Sequence, residues 1–194
     1  MKKQMNTHTI VAIGLMTALV FVSNYIQFGI DTPIGLTRIH VANGICLLSA
    51  LLFGGLRGGL AAGLGSFLFD LTNPAYAATS WVTFITKFLL AFICGAIVYS
   101  KRKDSNTPIK LTRKIIATIV GSLSYVAMYV LNQYITQCLV MGVAVETVTA
   151  VTLSTKLPAS LINAAIAVPV AVLLHGAVRP ALKKSGLLES MQIR

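Results

Sequence analysis

Residues Gly54 to Lys87 read GGLRGGLAAGLGSFLFDLTNPAYAATSWVTFITK, and this stretch decides the fold. It begins with glycine pairs on both sides of Arg57 and continues as an apolar run rich in glycine and alanine. A polar segment, residues 70–80, follows, and Lys87 then lies inside a second apolar run. Placing a charged lysine side chain in lipid costs free energy, so by default the side chain faces protein or a cavity. The pattern predicts a membrane-embedded helix bundle that surrounds this polar segment and this lysine.

The composition of the whole chain agrees with a membrane protein. Of its 194 residues, 56% are hydrophobic and 11% are charged, and the mean hydropathy is +0.80. A soluble domain carries about 25% charged residues. The net charge of +11 comes from basic residues that cluster in short segments between apolar runs. This distribution is typical of cytoplasmic membrane loops and argues against nucleic-acid binding.

Six apolar runs are interpreted as transmembrane helices, since a bilayer requires roughly 20 apolar residues per span. A tight glycine turn is expected at residues 54–59, an outer loop at residues 29–40 with Arg38 and His40 at the membrane surface, and a further outer loop at residues 139–155. The expected fold class is an all-α integral membrane protein, a six-helix bundle in a single domain over residues 1–194. The expected spans are residues 9–28, 41–53, 59–71, 81–99, 115–138 and 156–177.

The basic residues also predict the orientation of the bundle. Cytoplasmic loops carry an excess of lysine and arginine. Lys2 and Lys3 precede the first span, and a basic segment, residues 100–114, includes Lys101, Arg102 and Lys103. The proposed outer half holds three of the 16 lysines and arginines, namely Arg38, Lys87 and Lys156. We therefore expect both termini in the cytoplasm.

Polar side chains on the last three spans mark a candidate ligand site. Polar groups in lipid prefer the bundle interior, where partners or water satisfy them. Two alternatives remain open: Lys87 could snorkel outward along its own stem, and the polar stripe of the fifth span could serve hydrogen bonding between helices. Trp81 is expected as a stacking wall. The candidate ligand residues are Lys87, Trp81, Tyr129, Asn132, Gln133 and Asn163.

Motifs for catalysis and for an internal energy supply are missing. The chain has no HExxH, GxSxG or paired aspartate, and Asp70 is the one plausible intramembrane carboxylate. The glycine cluster is not a phosphate-binding loop, because no Lys-Ser or Lys-Thr pair ends it. The three cysteines lack a metal-ligand spacing. We therefore expect no enzyme activity, metal or cofactor, and a small-molecule binder whose energy source for any transport lies in another protein.

Residues Val41 to Tyr99, with GGLRGGLAAGLGSFLFDLTNPAY and WVTFITKFLLAFICGAIVY, resemble the substrate-binding S components of energy-coupling factor (ECF) vitamin transporters. The resemblance implies a vitamin-capture subunit in the bacterial plasma membrane. It implies that substrate binds from outside beneath the outer loops, with the segment 70–80 as a lid. The implied partners are a transmembrane coupling protein and two ATPases, on which the subunit topples in the membrane.

The resemblance also implies a docking surface and a substrate class. The first helix of the family carries an AxxxA-type surface, and here Gly14 and Ala18, or Ala12 one turn earlier, stand in that region. The lysine-bearing fourth span is most similar to members for pyridoxine or hydroxymethylpyrimidine, with riboflavin members second. A self-sufficient secondary carrier and a ligand-free structural membrane protein remain alternatives.

Overall fold

The computed structural model describes residues 7–100 and 108–186, which form a helix bundle and one β-hairpin. Two segments are π-helical, namely Ile135–Val140 and Thr152–Lys156. In chain order the other elements are α1 (Thr7–Ser23), β1 (Gln27–Ile30), β2 (Thr37–His40), α2 (Ala42–Phe53), α3 (Gly55–Leu71), α4 (Pro74–Ala77), α5 (Ser80–Tyr99), α6 (Leu111–Tyr134), α7 (Val145–Val151) and α8 (Leu157–Lys184).

Three helical stretches of the described residues are long and apolar enough to cross a membrane by length and composition. They are Ser80–Tyr99, Leu111–Val140 and Val145–Lys184. Thr7–Ser23 and Ala42–Phe53 are shorter apolar helices. Each of the six predicted spans corresponds to a helix, namely α1, α2, α3, α5, α6 and α8. The number of these helices that cross the bilayer stays a prediction.

The orientation of the bundle also stays a prediction. It depends in part on basic residues near the termini and in the segment before α6. Several of these lie outside the described residues, namely Lys2, Lys3, Lys101, Arg102, Lys103 and Arg194.

The prediction of an outer loop at residues 29–40 is wrong, because most of this segment belongs to an antiparallel hairpin of β1 and β2. Gln27 lies opposite His40, and Ile30 lies opposite Thr37. The prediction of an all-α fold fails here. Helix α1 ends at Ser23, so the last residues of the predicted first span belong to the hairpin. The turn is closed by the Thr32 hydroxyl, which donates to the Gly35 carbonyl. Gly35 has a φ of 97°, a conformation that glycine adopts without steric cost.

The predicted glycine turn between the second and third spans is a single residue. Gly54 has a φ of 82°, and its N–H donates to the Ala50 carbonyl at the end of α2. Helix α3 begins at Gly55, so Arg57 lies within a helix instead of in a turn. A close pairing of α2 and α3 is confirmed, because a methyl group added at Gly58 would lie 2.7 Å from the Ala50 Cα.

The glycines of α3 also allow α5 to approach closely. Phe84, Phe88 and Phe92 recur every fourth residue on α5, and their rings stack along the helix. They lie against the glycine row of α3, where a methyl group at Gly59 would lie 2.9 Å from Phe88 Cδ2. Small residues at four-residue spacing let two helices pack at short distance in a membrane. The full row on α3 is Gly55, Gly59 and Gly63.

Helix α2 forms the centre of the bundle. All twelve of its residues are buried, and it packs against α3, α5 and α8. Helices α1, α3, α5, α6 and α8 therefore enclose a short apolar helix that is shielded on every side. The first turn of α2 contains Asn43 and follows directly after β2 in the chain. The hairpin therefore lies at the end of the bundle where Asn43 is found.

The other two predicted outer loops contain helical structure. The segment 70–80 includes the short helix α4, and the segment 139–155 includes α7 with π-helical turns on both sides. Asn73 initiates the turn before α4, since its carbonyl accepts hydrogen bonds from the Tyr76 and Ala77 N–H groups. Turn residues such as Asn-Pro were correctly interpreted as breaks in the long helices, but they do not exclude a single helical turn between them.

Candidate functional site

A cavity of about 130 Å³ lies between the hairpin, α4, α5, α6 and α8. Its walls are mostly polar. Among the described residues that line it, none is an aspartate or a glutamate. The lining residues are Asn24, Leu36, Thr37, Arg38, His40, Tyr76, Thr79, Val82, Thr83, Thr86, Lys87, Tyr125, Tyr129, Asn132, Gln133, Ser160 and Asn163.

Lys87 lies inside the bundle at the base of this cavity. Its side chain is 3% exposed, and its ammonium group donates to Asn43 Oδ1 of α2. The Lys87 Nζ also lies 4.6 Å from the centre of the Tyr125 ring. The side chain therefore turns toward α2 and α6 instead of extending to the interface, and the snorkelling alternative is wrong.

The polar stripe of α6 lines the cavity and also bonds to other elements. Tyr125 and Tyr129 stack with ring centres 6.2 Å apart. The Tyr129 hydroxyl lies 3.2 Å from Thr37 Oγ1 of the hairpin. Gln133 Oε1 accepts a hydrogen bond from Lys156 Nζ at 2.9 Å. The stripe therefore forms hydrogen bonds with other elements and also lines the cavity, and its role in ligand binding stays a prediction.

Asn163 fastens the hairpin to α8. Its Oδ1 accepts a hydrogen bond of 2.8 Å from the His40 backbone N–H, and its Nδ2 donates at 2.7 Å to the Arg38 carbonyl. Lys156 adds a second anchor, because its Nζ donates to the Ile34 carbonyl at 3.1 Å. The side chain of Asn163 lines the cavity, but the backbone of β2 occupies one donor and one acceptor position of its amide.

The cavity brings together five of the six candidate ligand residues. Asn132 is among them, and its Oδ1 accepts a hydrogen bond from the Thr136 hydroxyl at 3.2 Å. Trp81 is the exception: it is 61% exposed and does not line the cavity. It lies at the first turn of α5, where its helical position directs it away from Thr83 and Lys87. The aromatic walls of the cavity are Tyr76, Tyr125 and Tyr129 instead.

Sequence analysis missed an ion pair that holds the hairpin over the cavity. Arg38 Nη2 lies 3.1 Å from Asp70 Oδ1, and the Arg38 guanidinium stacks on Tyr76 at 3.8 Å from the ring centre. The second carboxylate oxygen of Asp70 accepts a hydrogen bond from Thr83. Two opposite charges in an otherwise sparsely charged outer half were the available signal for this pair.

His40 was also missed as a cavity residue. It is 8% exposed and lines the cavity. Burial, together with the nearby cations Lys87 and Arg38, holds the pKa of His40 well below its usual range. The imidazole is therefore neutral near pH 7, because both burial and like charges disfavour the protonated ring.

The three proposed docking residues lie on different sides of α1. Gly14 and Ala18 are exposed, and a methyl group added at Gly14 would have no neighbour within 4 Å. Ala12 instead packs against the apolar core. An exposed small-residue strip therefore exists on α1, but Ala12 is not part of it.

Comparison with known proteins identifies the family. The family model described as "ECF-type riboflavin transporter, S component" matches residues 4–180. The chain belongs to this S component family. One solved structure, described as "Structure and mechanism of the S component of a bacterial ECF transporter", superposes with a TM-score of 0.61 at 18% identity. The match covers 90% of this chain and 97% of that one, which shows a shared fold. A search of curated proteins finds no match.

This membership settles the broad class of the chain. It is an ECF-type S component, a substrate-binding membrane subunit, and the resemblance stated from the sequence is confirmed at this level. The family is one of transporters and not of enzymes. Apolar helices long enough to span a bilayer agree with a membrane location.

Proposed function

We propose that this S component captures a small, single-ring vitamin or vitamin precursor of the pyridoxine or hydroxymethylpyrimidine type from outside the cell. The observation that carries this proposal is the size and polarity of the cavity. Drug-sized ligands occupy cavities of roughly 300–1,000 Å³, and this cavity is about 130 Å³. Hydroxyl, amide and ammonium groups surround it, which suits a heterocycle that carries several hydrogen-bonding groups.

The proposed contacts follow from the walls of the cavity. Lys87 supplies an ammonium group at its base, and the tyrosines provide flat apolar faces against which a planar ring can stack. The amides complete the hydrogen bonding of the ligand. Trp81 is left out because of its exposure. The proposed ligand residues are Lys87, Tyr125, Tyr129, Asn132, Gln133 and Asn163.

The energy for uptake comes, in this proposal, from two ATPase subunits joined through a transmembrane coupling protein. Gly14 and Ala18 form the surface of α1 on which the coupling protein docks. Six helices span the bilayer with both termini in the cytoplasm, so that the cavity faces outward. The exposed strip on α1 supports this arrangement, because small residues let a second helix approach closely.

Riboflavin is the second candidate substrate. The description of the matching family model favours it. A three-ring flavin requires a larger space than the present cavity, so this alternative requires that the hairpin move away from α5 and α6 on binding. The two candidates therefore differ in whether the hairpin has to move when the ligand binds.

Ligand binding to the purified full-length chain tests the proposal. We expect pyridoxine or hydroxymethylpyrimidine to bind with a Kd of about 1 μM or lower by calorimetry, a free energy near 8 kcal/mol. The compound that co-purifies with the protein, identified by mass spectrometry, should belong to the same class. Riboflavin as the tightest ligand would favour the second candidate, and no binding of any B-type vitamin would contradict the function. Uptake into proteoliposomes without ATPases would indicate a self-sufficient carrier.

A further inference from the structure

The cavity contains a cation without a carboxylate partner. Two basic residues line it, and Arg38 is paired with Asp70. Lys87 has no ion pair among the described residues; its ammonium group contacts the Asn43 amide and the Tyr125 ring. Burying a charge is costly unless hydrogen bonds and opposite charge offset it. The base of the cavity is therefore electrostatically positive in the absence of ligand.

Three further polar atoms of the cavity lining are buried without a hydrogen-bond partner among the described residues, namely His40 Nδ1, Tyr76 Oη and Ser160 Oγ. The backbone N–H of His40 is occupied by Asn163, which fixes the position of the residue on β2. Buried polar atoms without partners are rare in proteins, and each one calls for an explanation such as a missing ligand.

We propose that Lys87 Nζ and His40 Nδ1 form one subsite that binds an acceptor-bearing edge of an uncharged or anionic heterocycle, and that the cavity rejects cationic ligands. This inference rests on the proposed function, since it assigns a chemical class to the substrate of the same site. The acceptor is a ring nitrogen, a carbonyl oxygen or an ionised oxygen.

The donor inventory of Lys87 supports this assignment. An ammonium group has three donors. One of these donors is used by Asn43 Oδ1. The face of the Tyr125 ring attracts the positive charge but does not accept a conventional hydrogen bond from the other two. A ligand acceptor can therefore add a charge-assisted hydrogen bond, the stronger kind in proteins. A neutral imidazole nitrogen beside it can donate or accept, according to its tautomer.

The same arrangement disfavours positively charged ligands. No lining residue of the described chain offers a carboxylate to a cation, and the buried carboxylate of Asp70 is engaged by Arg38 and Thr83. Like charges a few ångströms apart in a partly desolvated site repel by several kcal/mol at an effective dielectric constant near 20. The tyrosine faces alone do not reverse this repulsion, because Lys87 already occupies the Tyr125 ring.

A matched ligand pair tests the charge preference. The probe is hydroxymethylpyrimidine, compared at about pH 8 with its ring N-methylated derivative, which carries a fixed positive charge. Affinities are measured by calorimetry with the full-length protein in detergent. We expect the N-methylated derivative to bind at least about 30-fold more weakly, corresponding to the loss of one charge-assisted hydrogen bond and added repulsion. Equal affinity of the pair would overturn the proposal.

Variants separate charge from steric hindrance. In Lys87→Met, the affinity for the unmethylated probe should fall about 10- to 100-fold, because one charge-assisted hydrogen bond is lost. The ratio of the two affinities, unmethylated to N-methylated, should shrink to less than about threefold, since the repelling charge is gone. Lys110→Met, at the exposed start of α6, is the matched control and should leave both affinities unchanged. Discrimination that persists in Lys87→Met would mean a steric cause and would overturn the proposal.

Substitutions of His40 test the second half of the subsite and remain informative if Lys87→Met does not fold. Asparagine places an amide group near the position of Nδ1, so His40→Asn should retain the affinity within about threefold. His40→Leu should lose about tenfold, the effect of one hydrogen bond. Unchanged binding in His40→Leu would remove His40 from the subsite. If hydroxymethylpyrimidine, pyridoxine and riboflavin all fail to bind the wild-type chain, the proposed function fails and this inference fails with it.

Discussion

Asn163 joins the hairpin to α8 through a single amide. Its two hydrogen bonds, to the His40 N–H and the Arg38 carbonyl, connect α8 to β2 across more than 120 residues of sequence. The residue is 4% exposed, so water does not replace these bonds when the side chain is removed. The backbone of β2, and with it the side chains that β2 presents to the cavity, depends on this contact.

We expect Asn163→Ala to destabilise the protein by about 2 kcal/mol, because buried polar groups left without partners cost about 1–3 kcal/mol. The hairpin should also become more susceptible to proteolysis. Thermal unfolding in detergent and limited digestion measure the two effects. Ser154→Ala removes an exposed hydroxyl and serves as the control. An Asn163→Ala variant as stable as Ser154→Ala would show that the hairpin is held by its other anchors.

The sequence predicted some site residues because lipid makes polar groups informative. This argument favoured an interior position for Lys87 and for the stripe of α6, although it left outward snorkelling of Lys87 open. Arg38 and His40 could not be placed in this way, since their positions depend on the register of β2 against β1. Trp81 was misplaced because an aromatic residue near a helix start suits the membrane interface and a cavity wall equally.

At the scale of elements, α3 and α5 pack closely because glycines, which have no side chain, lie at their contact. A methyl group at Gly95 would lie 2.2 Å from the Gly55 backbone nitrogen, closer than any real contact. The backbones therefore touch where α3 begins, and the phenylalanine rings of α5 continue the contact toward the cavity. The position of Lys87 on α5 depends on this fit.

We expect Gly95→Ala to destabilise the protein by about 1–3 kcal/mol, because the added methyl group overpacks a backbone contact that cannot yield. Gly176→Ala is the matched control: its methyl group meets nothing within 4 Å, and alanine favours a helix by up to about 1 kcal/mol. The apparent Tm in detergent should fall for the first variant and stay level or rise for the second. A Gly95→Ala variant with unchanged Tm would mean that the two helices separate at little cost.

The six long helices were predictable to within about two turns, whereas the hairpin and the short helices α4 and α7 were not. The apolar runs gave the bounds of α2 and α5 to within one residue, since long hydrophobic segments have few alternatives in a membrane. The two strands of the hairpin have four residues each. In the sequence, strands this short on either side of Pro33 and Gly35 cannot be told from a turn-rich loop. Contacts with side chains of α3, α6 and α8, which are distant in sequence, hold the hairpin in place.

At the scale of the whole molecule, the ligand cavity and the exposed strip on α1 are separate features. The cavity lies beneath the hairpin between α4, α5, α6 and α8. Gly14 and Ala18 face outward from α1 and do not line it. In the proposed function, substrate capture and docking on the coupling protein are therefore expected to be separable by mutation.

We expect Gly14→Leu to reduce vitamin uptake at least about tenfold when the coupling protein and both ATPases are present, because a large side chain holds the partner helix away from a small-residue strip. Substrate affinity should stay within about threefold of wild type, since the added side chain points into open space. Ala127→Leu places the same side chain at an exposed position on α6 and is the control. Equal uptake by the two variants would place the docking surface elsewhere.

The exclusion of Trp81 from the cavity gives the molecule an internal optical reporter. The chain has a single tryptophan, and it lies one residue before the cavity-lining Val82 at the outer end of α5. Intrinsic indole emission therefore originates at one known position. Because Trp81 does not line the cavity, we expect no ligand ring to stack on the indole. With a ligand that does not absorb at the emission wavelength, a change in emission during titration should therefore report movement of the α5 terminus and the adjacent segment.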